Sequence, residues 1–138
     1  MHCMASRLLL GLWCRTFRLQ HLRVLECCVA TLWQLSFDFD NCVKLQAASG
    51  FHVLADVLRR VDSPKLASAQ TLAAQTLWVA SRNLSAEHNV AESLAGLHVV
   101  QSCLALAQHR GKSNNLRMAC TRVLVTYVCM VACAWCTQ

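Results

Sequence analysis

Apolar positions recur along this chain at the three-to-four-residue spacing of a helix face, broken by short polar stretches. From Leu22 to Ser36, Leu25, Val29 and Leu32 stand at i, i+4 and i+7, which predicts a first long helix with those residues inward. The polar run Asp38 to Asn41 predicts a turn whose acids favour the start of the next helix. A short segment then reaches Gly50, followed by the apolar run Phe51 to Leu58. Gly50 is expected to supply a backbone conformation that other residues resist. Val61 to Lys65 reads as a loop, with Ser63 as N-cap and Pro64 in the first turn of a helix from Lys65 to Ser81. Leu66, Ala69, Ala73, Leu77 and Ala80 form the apolar stripe of that helix. After the polar Glu87-His88-Asn89 come Val90 to Ala95, Gly96 and the apolar run Leu97 to Leu106. His109 to Asn115 is polar and basic, with Gly111 as a helix stop, and Asn114 to Val131 is the third long helix.

The runs repeat. Leu32-Trp33 recurs as Leu77-Trp78, 45 positions on; Gly50 recurs as Gly96 and Leu58 as Leu104, each 46 on. Leu124 lies 47 after Leu77. A helical period of about 40–47 residues is that of two- or three-helix repeat arrays.

On these residues the chain resembles the armadillo repeat family, whose unit is a short helix, a glycine at a sharp turn, a second helix and a longer third helix. Ala30, Leu32, Trp33, Leu35 and Ser36 match the end of a third helix; Asn41, Val43, Gly50, Phe51, Val53, Leu54 and Leu58 match the two shorter helices that follow. In the second copy the matches are Ala74, Leu77, Trp78 and Ser81, then Asn89, Gly96, Leu97, Val99, Val100 and Leu104. The resemblance spans roughly residues 22 to 128. It implies an all-α, armadillo-like solenoid: a third helix over 22–36, repeats over 41–82 and 87–131, a basic and apolar segment over 1–20, and a tail over 132–138. It also implies a groove along the stacked third helices that holds extended peptides, with Trp33, Gln34, Trp78, Arg117 and Arg122 as the residues toward a partner. Peptide-binding members carry an Asn on the third helix; here Gln34 follows Trp33 and Val79 follows Trp78, so that ladder is incomplete and the tryptophans are equally readable as core.

Composition fits a packed helical chain: 138 residues, 56% apolar, one Pro and four Gly. The formal charge of +6 is unevenly placed. Residues 1–25 hold four Arg and no acid, 26–92 hold five basic and seven acidic groups, and 93–138 hold Arg110, Lys112, Arg117 and Arg122 with no acid. Basic ends would steer an acidic partner, or be solvated helix faces. The ten Cys lie mostly among Leu, Val and Ala, where a free thiol acts as a small hydrophobe, and this points to a reducing compartment, the cytoplasm or nucleus.

The two ends leave alternatives open. In 1–20, Arg7, Arg15 and Arg18 share a helix face opposite Leu9, Trp13 and Phe17, which suits a mitochondrial presequence or a helix capping the stack; Arg15 and Arg18 interrupt any secretory h-region. Val123 to Gln138 carries no charge. It is short of the ~17–25 apolar residues of a membrane span. A helix facing neighbours on all sides gives the same composition. An uncharged last repeat suggests a fragment of a longer array, or an oligomer formed through this helix.

Catalytic chemistry has no foothold. The six His stand in no defensible spacing to a nucleophile, and there is no phosphate loop, H-E-x-x-H or G-x-S-x-G. Asp38 to Asn41 lacks the Gly and the terminal Glu of a calcium loop. Cys133 and Cys136 form C-x-x-C at the C-terminal end of a helix, where the dipole opposes a thiolate, and no second ligand pair exists for zinc. Arg15, Phe17 and Arg18 are only a weak version of a nucleic-acid surface. The expectation is a protein-binding scaffold without enzymatic activity, cofactor or metal. The rival is a membrane- or mitochondrion-associated helical protein.

Overall fold

The computed structural model describes residues 22–61, 63–84 and 88–136; the basic segment 1–20 and Glu87 lie outside them. The described residues are helical throughout, with no strand among them, so the chain is all-α. Helix α1 covers residues 22–35. It is followed by α2 (Phe39–Ala47), α3 (Gly50–Arg59), a 3-10 turn (Pro64–Leu66), α4 (Ala67–Asn83), α5 (Val90–Gly96), α6 (Val99–Gln108) and α7 (Asn114–Cys136).

Local chemistry sets the ends. Asp38 is the N-cap of α2, and its Oδ1 accepts from the backbone N–H of Asp40 at 2.8 Å and of Asn41 at 3.3 Å, as the polar run predicts. Pro64 sits at the start of the 3-10 turn, where its missing N–H is not needed, but the Ser63 side chain caps nothing. Ser113 Oγ accepts from Leu116 N–H at 3.3 Å and opens α7. That helix runs five residues past the predicted end at Val131.

The glycine expectation fails. No described glycine has positive φ; the left-handed residues are Ser49 (φ 60°), Asn89 (φ 51°) and His98 (φ 57°). Ser49 and His98 each sit immediately before the second short helix of a triplet, so they make the corners expected of Gly50 and Gly96. Across the second corner the axes of α5 and α6 differ by 69°. Gly50 is required for space instead: a Cβ there would lie 2.8 Å from the Leu45 carbonyl oxygen. Gly96 has nothing within 4 Å of its would-be Cβ.

The core is one continuous cluster running from Val29 to Val123. Helix α4 packs against α3 and α7, and α6 against α3 and α7. The inward positions predicted for α4 (Leu66, Ala69, Ala73, Leu77, Ala80) are all buried, and Leu25 and Leu32 flank the buried Val29 on α1. In α3, Phe51, Leu54, Ala55 and Leu58 are buried; 48 positions on, α6 buries Val99, Ser102, Cys103 and Leu106. In α4, Gln70, Ala73, Ala74 and Leu77 are buried; 46 positions on, α7 buries Leu116, Ala119, Cys120 and Val123. The pairing of Leu58 with Leu104 is therefore two residues out of register, and Leu104 is 46% exposed.

Polar side chains tie the layers. Gln70, fully buried on α4, donates from Nε2 to the carbonyls of Val57 (3.2 Å) and Arg60 (2.8 Å), satisfying the end of α3. Asn83 Nδ2 donates to Ser36 O at 2.7 Å, and the Cys42 thiol donates to the same carbonyl at 2.9 Å, which ties the end of α4 to the turn after α1. Gln46 Nε2 donates to His88 O at 2.7 Å, joining α2 to the approach to α5.

Candidate functional site

Trp78 is half-buried on α4, at the side of the helix that runs along α7. Arg82 follows it by one helical turn, so its side chain folds back over the indole, its guanidinium carbon 5.3 Å from the ring centroid. Arg122 reaches across from α7 to the same ring at 5.1 Å. One indole thus carries two guanidinium groups, each within the ~6 Å range of cation–π attraction. Both arginines are exposed. Among the described residues the ion pair found is Arg59 with Asp56 at 3.2 Å, so neither Arg82 nor Arg122 is neutralised by a described carboxylate. Neither α4 nor α7 contains an acid.

Two cations on one ring repel each other, and each is drawn to the ring face by its quadrupole. The result is a half-buried aromatic surface flanked by two exposed guanidinium groups. That arrangement suits a carboxylate or another planar anion, which a guanidinium can bind in two-pronged fashion.

The other predicted site residues fall elsewhere. Arg117 Nε donates to Ala107 O at 2.9 Å, capping the C-terminal turn of α6 where a cation is favoured. Arg117 and Arg122 do share a shallow depression of about 510 Å³ with Asn114, Met118 and Thr121. Trp33 is half-buried on α1 and meets Phe37 edge-on, centroids 5.4 Å apart, while Gln34 is exposed. Arg82 was not singled out from the sequence; its i+4 spacing from Trp78 was the available signal. On the other side of Arg82 a groove of about 490 Å³ runs between α7 and the start of α5, lined by Val90, Glu92, Cys129, Met130 and Cys133 among others.

The cysteines divide differently from expectation. Among the described residues, Cys42, Cys103 and Cys120 are buried and serve as small core hydrophobes, while Cys27, Cys28, Cys129, Cys133 and Cys136 are exposed. Burial pushes the Cys42 thiol up, against the hydrogen bond from Asn83. The Cys103 thiol is held well above its ordinary range by its hydrogen bond to Cys120 and by burial. In native protein, iodoacetamide is expected to label Cys27, Cys28, Cys129, Cys133 and Cys136 and to spare Cys42, Cys103 and Cys120 until denaturant is added. Peptide mapping by mass spectrometry reads the pattern, and fast native labelling of Cys103 would contradict this core. Among the described residues no three metal-binding side chains come together.

No protein-family model matches this chain, and neither the curated proteins nor the solved structures contain a match to it.

Proposed function

We propose that this chain is a non-enzymatic binding module of the helical-repeat, armadillo-like type, and that it engages an acidic segment of a partner protein where α4 and α7 run side by side. The observation that carries the reading is the Trp78 ring with Arg82 at 5.3 Å and Arg122 at 5.1 Å, both exposed and free of described carboxylates. The repeat reading is supported by the helix lengths of 9, 10 and 17 residues followed by 7, 10 and 23. It is supported too by the left-handed residue at the same place in each triplet, and by the like spacing of buried positions.

The test is fluorescence anisotropy with a labelled, extended Glu-rich peptide. Binding should weaken with salt, since surface charges are screened within ~8 Å at physiological ionic strength. Replacing Arg82→Glu and Arg122→Glu together should weaken it by at least about tenfold, or ~1.4 kcal/mol. Arg59→Glu, on α3 and outside the site, is the control. Affinity indifferent to the double replacement would remove the reading.

Membrane association is a second reading, because α7 is 23 residues long and contains an 18-residue stretch with a mean hydropathy of 1.7, long and apolar enough to cross a bilayer. Against it, Leu116, Ala119, Cys120 and Val123 of that helix are core residues, and spanning would empty the core of them.

A further inference from the structure

Of the readings open for the uncharged end of α7, a helix that faces neighbours on all sides is not what the described residues show. Only Leu116, Ala119, Cys120 and Val123 are buried, all in the first ten residues of the helix. On the opposite face stand Met118, Thr121, Val125, Val128, Ala132 and Trp135, all exposed. Four of them are large and apolar: Met118 at 55%, Val125 at 56%, Val128 at 62% and Trp135 at 76%. Their spacing alternates three and four residues, which is the seam of a two-helix coiled coil. On α4 the comparison is telling. Val79 is 9% exposed, whereas Val125, 46 positions on, is 56% exposed.

The charge pattern says what fits this seam. From Val123 to Cys136 there is no charged residue, so a charged partner helix would have nothing to pair with and would leave its own charge desolvated. The nearest charges, Arg117 and Arg122, lie at one end only. A second copy in parallel would set Arg122 beside Arg122. A second copy in antiparallel orientation separates them by about nine residues, roughly 13 Å at 1.5 Å per residue. That exceeds the ~8 Å screening length.

The seam is also symmetric about its midpoint. In the antiparallel register Met118 meets Trp135 of the second copy, Thr121 meets Ala132, and Val125 meets Val128, each pair occurring twice. The geometry therefore points to a two-fold homodimer closed by antiparallel α7 helices, an isologous contact that runs beside Arg122. The thioether of Met118 against the Trp135 ring is a favourable pair at each end.

The experiment is light scattering after size exclusion, in reductant, on the full chain. The expected mass is twice 15.3 kDa, about 31 kDa. Val125→Lys and Val128→Glu should each give a folded 15.3 kDa species, with circular dichroism confirming helix content. The double variant V125K/V128E should restore the dimer, because only the antiparallel register puts each new Lys against a new Glu. Sedimentation of the wild-type chain across a concentration series reads the equilibrium without any variant. A wild-type monomer throughout, a dimer indifferent to Val125→Lys, or a folded double variant that stays monomeric would overturn the assignment. So would a monomer that floats with phosphatidylcholine vesicles, which would give the face to lipid. Peptide binding at Arg82 and Arg122 is scored separately, so either result stands without the other.

Discussion

Replacing Gly50 by alanine is expected to destabilise this protein by about 2–3 kcal/mol, whereas the same change at Gly96 is expected to be neutral or to stabilise it by up to ~1 kcal/mol. The two glycines occupy similar places in the sequence pattern, yet their surroundings differ. At Gly50 the added methyl would come within 2.8 Å of the Leu45 carbonyl oxygen, and it would also meet the Leu45 side chain. The side chain can move. The carbonyl is part of α2 and cannot, so α3 must shift away from α2 and lose packing at Phe51, which is only 2% exposed. Gly96 ends α5 with open space around it, so alanine there gains helix propensity without a clash. Thermal melts followed by circular dichroism should show Gly50→Ala lowered by about 10 °C. A Gly50→Ala melt equal to wild type would mean that α2 and α3 are not packed this closely.

The same pair shows what could be read from the chain and what could not. Helix positions and inward faces were legible because apolar spacing reports them directly: Val29, Ala73, Leu77 and Ala80 stand where their periodicity puts them. The corner chemistry was not. Glycine was the natural candidate for a left-handed residue, and the chain uses Ser49 and His98 instead, at a strain that only the packed helices on either side sustain. Matching Gly50 to Gly96 also set the α3–α6 register at 46 when the burial pattern sets it at 48. Composition could not say whether the uncharged end of α7 was covered, since a buried helix and an exposed seam have the same residues. Trp78 and Arg122 were singled out separately, but their union with Arg82 depends on how α7 lies along α4, which no local pattern encodes.

Leu77 is the position where a single truncation should cost most. It is fully buried in the middle of α4, the helix that packs against both α3 and α7. Its neighbours on the same face are Ala73, Ala74 and Ala80, all fully buried. Alanine side chains have no rotamers with which to fill a void, so the space left by Leu77→Ala should persist. A rigid site of that kind lies at the upper end of the ~3–5 kcal/mol range for such truncations. That is a large share of the ~5–15 kcal/mol that holds a domain of this size folded. Leu77→Met keeps the volume and should cost less than ~1.5 kcal/mol. Urea unfolding of the three proteins gives the comparison, at matched protein concentration so that self-association does not enter. A loss below about 1 kcal/mol in Leu77→Ala would mean that α7 and α3 close onto α4 when the side chain is removed. The helices would then slide past one another more freely than their Ala-lined contact implies, and the Arg82–Trp78–Arg122 arrangement, which spans that contact, would not be held in fixed geometry.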